Sequence, residues 1–372
     1  MSEVLGNMTK VDAGRHPIVM GPGSLAALDA SLGELGTGVR IFILCDENTL
    51  RHCLPELQRN LPRLIDAEVL SVPAGEGSKS LNCCRDLWQE LASHGADRNA
   101  LLIALGGGVV TDLGGFVAGT YKRSIRSINI PTTLMGMVDA AIGSKSGIDL
   151  GGTKNIVGLL HDPLAVYVHV PFLRTLGKRE LLNGIAEMMK HALIADRDHW
   201  EEIKGAALHD MAALTALIER SATIKAGIVK SDPEERDQRK LLNFGHTIGH
   251  AVEAHSWESE HQSLLHGEAI AMGMICASWL SWRLGMLDRA AHEEITDRLM
   301  TMYPVYPIDS TGHHRLLELM RNDKKNVEGQ FRFTLLSAIG EGQVDVRVTA
   351  AQVQEALEHY RALVQMNGRH SI

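Results

Sequence analysis

Ala100-Leu-Leu-Ile-Ala-Leu-Gly-Gly-Gly-Val-Val-Thr-Asp112 is the stretch on which the fold class turns. Ala100–Leu105 is an unbroken apolar run, the pattern of a strand buried on both faces rather than one that alternates toward solvent. It runs straight into Gly106-Gly107-Gly108, which opens a helix. Glycine lets the backbone approach a pyrophosphate, and a helix N-terminus adds oriented N–H donors. The spacing is not Gly-x-Gly-x-x-Gly, so the ordinary dinucleotide fingerprint is absent, and a tight turn without a ligand fits the same residues.

Similar runs lie to either side. Val39–Cys45 is ended by Asp46-Glu-Asn48, Ser127–Ile130 is stopped by Pro131, and Ala165–Val170 by Pro171. Helical patterns such as Leu81–His94 separate them, and strands alternating with helices predict a parallel sheet covered on both faces. From about Arg179 the strand signals nearly vanish. Glu180–Ile194, Met211–Ser231, Leu241–His255, His266–Leu284 and Ala290–Met302 carry helical periodicity, and Phe331–Leu336 is the one late strand or hairpin. The expected architecture is an α/β, Rossmann-like N-terminal domain over residues 1–178 and an all-α C-terminal domain over 179–372.

Composition excludes several classes. At 372 residues the chain exceeds one compact core. No apolar run approaches the roughly 18 residues of a membrane helix, and Met1–Gly14 lacks the apolar stretch of a signal peptide. A net charge of −8 argues against a nucleic-acid partner, although a site can be locally basic. Cys45, Cys53, Cys83, Cys84 and Cys276 form no Cys-x-x-Cys pair and read as inert thiols of a reducing, cytoplasmic compartment.

Candidate chemistry sits at two ends. Asp46 closes an early strand, where an acid can hold a ribose hydroxyl and disfavour a 2′-phosphate, so with the glycine turn it leans toward NAD over NADP. In the helical half, Glu187, Lys190 and His191 share one helical face, His246 and His250 stand at i and i+4, and His266 opens an apolar helix. A carboxylate with two or three histidines and an open position is a catalytic zinc set. Spacing leaves open which of His246 and His250 are ligands, and whether His191 is one. Lys145, Lys154, Lys190, Lys225, Arg239, Lys324 and Lys325 lie in apolar or glycine-rich surroundings rather than in charge runs. Lys145 and Lys154 flank Ser146–Gly152, which reads as a loop around an anion.

Seven ordered motifs carry a resemblance from about Asp46 to about Gly340: GGGVVTD, IPTTLMGMVDAAIGSKSGID, GTKN, GIAEMMKHALI, LLNFGHTIGH, LLHGEA and NDKKN. Through them the chain resembles the sugar phosphate cyclases and, among these, the 3-dehydroquinate synthase family. The resemblance implies a dehydroquinate synthase-like fold and a carbon–oxygen lyase of the shikimate pathway to aromatic amino acids. Its substrate would be 3-deoxy-D-arabino-heptulosonate 7-phosphate and its products 3-dehydroquinate and phosphate. NAD would be used catalytically, the hydride being taken and returned, beside zinc or cobalt.

The resemblance implies that Glu187, His246 and His266 bind the metal, which assigns His250 to the substrate. It implies cofactor contacts from Asp46, Asn48, Glu76, Lys79, Gly107, Gly108, Val109, Val110, Thr111, Asp112, Thr132, Thr133, Lys154, Phe172 and Thr175. Catalytic and substrate contacts would come from Asp139, Lys145, Asn155, Lys190, Lys225, Arg239, Asn243, His250 and Lys324. Arg123 matches an arginine that reaches the partner subunit's site, which implies a homodimer. Ser144 departs from the glycine usual in the family beside the substrate lysine, so a cyclase of another sugar phosphate stays open. A zinc-dependent polyol dehydrogenase would share the plan but would need fewer anion-binding residues.

Overall fold

The computed structural model describes residues 8–36, 38–151, 153–208, 210–258, 263–308, 310–321 and 330–368. The chain divides into two compact units, Met1–Gly177 with Leu208–Lys230, and Lys178–Ala207 with Ser231–Ile372.

The first unit opens with β1 (Thr9–Asp12), β2 (Pro17–Met20), α1 (Ser24–Glu34), β3 (Ile41–Asp46), α2 (Glu47–His52) and α3 (Leu54–Asn60). It continues through β4 (Glu68–Val72), α4 (Leu81–Ser93), β5 (Leu101–Gly106), α5 (Gly108–Thr120), β6 (Arg126–Pro131) and α6 (Leu134–Val138). The hairpin β7 (Lys145–Leu150) and β8 (Thr153–Leu160) and the strand β9 (Val166–Val168) follow. The apolar runs read above are the middle of one sheet in the order β1-β2-β9-β6-β5-β3-β4. Every pairing from β2 to β4 is parallel, and β1 is an antiparallel edge on β2. All six residues of β5 are buried. Phe42, Leu44, Leu102 and Ala104 meet Leu87 and Leu91 of α4 and Leu113, Phe116 and Val117 of α5 in one core. Each leucine, valine and phenylalanine among them contributes about 1.5–3 kcal/mol by leaving water.

From β3 the chain passes to β4 on one side and returns to β5 on the other. Such a switch opens a crevice at the carboxyl ends of the strands. Asp46, Gly106 and Thr132 lie at those ends, of β3, β5 and β6. Ser146–Leu150, expected as part of a loop, is strand: β7 pairs with β8 through Lys145↔Leu160 to Leu150↔Thr153. Its alternation is hidden in sequence by Gly147 and Asp149, a small and a charged residue at strand positions.

The second unit begins with α7 (Lys178–Ala195) and α8 (Arg197–Gly205). The intervening α9 (Met211–Ser231) falls, to Lys230, in the first unit. Then come α10 (His246–Glu258), α11 (His266–Arg283), α12 (Arg289–Met302), α13 (Ser310–Arg321), the antiparallel hairpin β10 (Gln330–Ala338) and β11 (Glu341–Thr349), and α14 (Ala350–Gly368). Gly267 to Ser281 of α11 are all buried, the pattern of a helix enclosed on every side. The helix expected over Leu241–His255 starts only at His246, after a 3₁₀ turn over Gln238–Asn243. The cause is Gly245, whose φ of +78° is the left-handed conformation that ends one turn before the next helix begins. Gly273 lets α11 press against that junction: a Cβ there would stand 1.9 Å from Gly245 O.

Candidate functional site

Two polar clusters, one in each unit, gather the residues singled out above. In the first unit, α5 starts at the glycine turn, with Thr111 N bonded to Gly107 O at 3.0 Å. Gly107, Gly108 and Val109 are half-buried, Val110 is buried, and the Thr111 hydroxyl donates to Gly108 O at 3.1 Å. Asp46 caps α2, its Oδ1 accepting from Thr49 N at 2.7 Å. Asn48 beside it is exposed. Thr132 is buried and donates its N–H to Gly106 O at 2.9 Å, while the Thr133 hydroxyl caps α6 by accepting from Gly136 N at 3.1 Å. Phe172 is buried against His169, and the exposed Thr175 donates its hydroxyl to Phe172 O at 3.0 Å.

Lys79 is the hub of this edge. Its side chain is 3% exposed, and Nζ lies 2.8 Å from Asp112 Oδ2 and 3.5 Å from Glu76 Oε1. It also donates to Asn155 Oδ1 at 2.5 Å. Burial opposes its charge, but Asp112, Glu76 and Asp149 outweigh that and hold the ammonium above its ordinary pKa. Asp112 goes the other way. Burial pushes its carboxyl up to about 6, against the pull of Lys79 and Lys225. Lys154 Nζ stands 3.7 Å from Glu76 Oε1. A second pair lies in the same unit, with Lys225 Nζ donating to Asp139 Oδ1 at 2.6 Å and to Asp139 O at 2.7 Å.

Lys145 is exposed at the start of β7, after Ser144 with a φ of +58°. Arg123 is exposed in a turn where Lys122, Arg123 and Ser124 all take positive φ. Non-glycine residues adopt that conformation rarely. The turn is tied down by Lys122 Nζ and Tyr121 Oη, which both donate to Ala96 O, at 2.6 and 3.2 Å.

In the second unit α7, α10 and α11 bring Glu187, His246, His250 and His266 together. Asn183 of α7 accepts Gly267 N of α11 on its side-chain oxygen at 2.6 Å, which clamps the two helices. Glu187 is fully buried, with His246 Nε2 at 3.5 Å and His266 Nε2 at 3.6 Å from its Oε1. Its Oε2 is in contact with the ammonium of Lys190, itself 1% exposed. One ring nitrogen of each of the three histidines lies within 4.8 Å of the others.

The far nitrogens of two histidines are already committed. His246 Nδ1 meets Phe244 O at 3.0 Å, and His266 Nδ1 meets Glu253 Oε2 at 3.0 Å. That keeps a proton on each Nδ1 and turns both Nε2 atoms toward Glu187 Oε1, as in metal sites where a carboxylate or carbonyl orients the imidazole. Zinc bonds of about 2.0–2.1 Å at tetrahedral angles separate ligand atoms by roughly 3.3 Å, so the 3.5 and 3.6 Å separations from Glu187 Oε1 fit a shared divalent ion. Burial, with the nearby Lys190, His250 and His266, holds His246 well below its ordinary pKa despite Glu187. His266 is driven up to about 10, because Glu253 and Glu187 overcome its burial.

Glu253 was not legible as a site residue, though it stands seven residues after His246 and three after His250, on their helical face. Glu268 of the LHGEA motif takes no part in this set. It forks onto Arg179, with Nε–Oε1 and Nη2–Oε2 both 2.7 Å, and accepts Leu265 N at 2.8 Å. His191 is buried in α7. Arg239 and Asn243 hold their own loop, Arg239 Nη1 donating to Pro233 O at 2.8 Å and Asn243 Nδ2 to Glu235 Oε1 at 2.9 Å. Lys324, Lys325 and Gly152 lie outside the described residues.

Residues 69–183 match the family model described as 3-dehydroquinate synthase N-terminal, and residues 184–326 the one described as 3-dehydroquinate synthase C-terminal. A 3-dehydroquinate synthase of Parabacteroides distasonis is 41% identical over 324 residues, 87% of this chain and 91% of that protein. One from Geobacillus thermodenitrificans is 40% identical over 337 residues, 89% and 91% of the two chains. Among solved structures, the 2-epi-5-epi-valiolone synthase of Streptomyces hygroscopicus, with NAD⁺ and Zn²⁺ bound, superposes with a TM-score of 0.81. It is 27% identical, and the match covers 93% of this chain and 96% of that one.

Proposed function

The chain belongs to the 3-dehydroquinate synthase family, and from that premise we propose that it converts 3-deoxy-D-arabino-heptulosonate 7-phosphate to 3-dehydroquinate and phosphate. The observation that carries the metal half of this reading is the convergence of two oriented Nε2 atoms on Oε1 of a buried carboxylate. Glu187, His246 and His266 would hold a divalent ion, zinc or cobalt. The cofactor edge of the first unit, from Asp46 through the Ala74–Lys79 loop, Gly107–Asp112 and Thr132–Thr133, would hold NAD. The metal would supply Lewis-acid polarisation of a substrate oxygen, and NAD a hydride acceptor that is restored in each turnover.

The residues of this chain do the rest. Lys190 balances the Glu187 charge and offers a buried cation to a substrate oxygen. His250, exposed on the same face of α10 as His246, would move a proton at the substrate. The turn that presents Arg123 at the surface supports a homodimer in which each subunit lends this arginine to the other. No helix among the described residues is long and apolar enough to cross a membrane, and a cytoplasmic location belongs to the same reading.

The decisive experiment supplies the seven-carbon phosphate, NAD⁺ and zinc, and follows phosphate, product and NADH together. We expect phosphate and 3-dehydroquinate in a one-to-one ratio with no lasting NADH. Stoichiometric NADH would make the protein a dehydrogenase, and turnover of a different sugar phosphate would make it another cyclase.

A further inference from the structure

We propose that Arg179 and Asn183 are positioning residues: from one stripe of α7 they supply the cap that α11 lacks, and so hold His266 against Glu187. This role rests on the metal site proposed above. His266 is the first residue of α11, where the backbone N–H groups of the opening turn find no partner inside the helix. A side-chain oxygen at the N-cap normally accepts from one of them. Here the N-cap is Leu265, whose side chain has no acceptor to offer.

The missing acceptor comes from α7. Asn183 Oδ1 takes the N–H of Gly267 at 2.6 Å. Its amide is oriented for this, since Nδ2 donates to Glu180 Oε2 at 3.3 Å and leaves the oxygen for α11. Glu268 Oε2 accepts the N–H of Leu265 at 2.8 Å, and Arg179 fixes that carboxylate through two bonds of 2.7 Å. The same guanidinium donates to Ser263 O at 2.9 Å, so the segment leading into α11 is held as well. Asn183 and Glu268 are buried, and a buried N–H that loses its acceptor is costly. Gly267 permits the close approach: a Cβ there would stand 2.2 Å from Asn183 O.

Arg179, Asn183 and Glu187 are spaced by four residues and share one face of α7. They meet Glu268, Gly267 and His266 in turn, three consecutive residues of α11. Such a ladder fixes both the rotation and the height of the opening turn of α11 against α7. Its last rung is the 3.6 Å approach of His266 Nε2 to Glu187 Oε1. His246 is outside the ladder, since it starts α10 and takes its orientation from Phe244 O.

The test uses the full chain without substrate. Competition with a chelator reads Zn²⁺ affinity, and the visible spectrum of the Co²⁺-loaded protein reads the ligand geometry. Asn183→Ala should weaken Zn²⁺ binding about 10–100-fold, the range for groups that orient a metal ligand, and alter the Co²⁺ bands. Arg179→Met should move both in the same direction. Asn183→Asp, combined with Glu180→Gln so that no like charges meet, keeps the acceptor oxygen and should restore most of the affinity. Asp288→Ala is the control, because it removes the side-chain cap of α12 in the same unit, where Oδ1 accepts Ala291 N at 2.7 Å. It should lower the urea midpoint but leave Zn²⁺ affinity and the Co²⁺ spectrum at wild type. Wild-type affinity and spectrum in Asn183→Ala would overturn the proposal. So would an equal loss of affinity in Asp288→Ala, which would make the effect one of stability alone, or an absence of rescue by the aspartate. Should Asn183→Ala fail to fold by circular dichroism, Arg179→Met, at the partly exposed end of the stripe, decides by the same two readouts. A wild-type protein that binds neither Zn²⁺ nor Co²⁺ refutes the metal site itself. One that binds both, with variants that match it, refutes the ladder alone.

Discussion

The two units bury charge in opposite ways. In the first, each buried cation is surrounded by acids: Lys79 by Asp112, Glu76 and Asp149, and Lys225 by Asp139. In the second, two histidines and Lys190 crowd one carboxylate, Glu187, with Glu253 behind His266. The first arrangement neutralises itself and holds a shape before any ligand arrives. The second pulls its members apart, since His246 is kept neutral while His266 is pushed to the imidazolium. A divalent ion held by Glu187, His246 and His266 would relieve that conflict, because imidazoles bind metal only when deprotonated. Self-neutralised clusters orient, whereas unbalanced ones await a ligand.

The largest effect expected from this contrast is at Glu187. Glu187→Ala leaves Lys190 buried without its carboxylate, a change that costs about 3–5 kcal/mol when a buried pair loses one member. It should also strip the metal and abolish turnover. Urea unfolding and metal analysis read the two losses separately. Adding Lys190→Met should recover stability but not metal. Metal retained by Glu187→Ala would mean that His246, His250 and His266 suffice, and the contrast would fail.

Next in size is the split between the two histidines on one face of α10. His246→Ala should lose the metal with its activity. His250→Ala should keep the metal and lose about 10²–10⁴-fold in kcat, the range of a proton-transfer group. A metal-free His250→Ala would exchange the two assignments.

The smallest effect sharpens the comparison at its edge. Glu253 touches no proposed substrate atom and acts through His266 Nδ1. Glu253→Gln should weaken metal affinity about 10–100-fold, measured by competition with a chelator, and leave the fold intact. Unchanged affinity would show that the His266 tautomer does not depend on it.

The apolar runs that became β3, β5, β6 and β9 were legible because a strand buried on both faces leaves an unbroken hydrophobic signature. The edge strand β1, with alternate residues exposed, carries no such signature, and β7 hides behind Gly147 and Asp149. Helical spacing placed Glu187 with Lys190, and His246 with His250, since residues three or four apart share a face whatever the tertiary context. The start of α10 was read too early because periodicity passes through Gly245 without registering its backbone.

The sequence by itself determined the fold class, the strands buried on both faces and most of the residue types at both clusters, all of which follow from local periodicity and ordered motifs. Only the tertiary structure decided which atom faces which. Glu253 reaches His266 across 13 residues, Lys79 reaches Asn155 across 76, and Asn183 clamps Gly267 across 84. Hydrogen-bond direction depends on elements that meet only after the core has formed. No local pattern can therefore announce that the ammonium of Lys79 bridges α5 and β8, or that the Nε2 atoms of His246 and His266 point at the same oxygen.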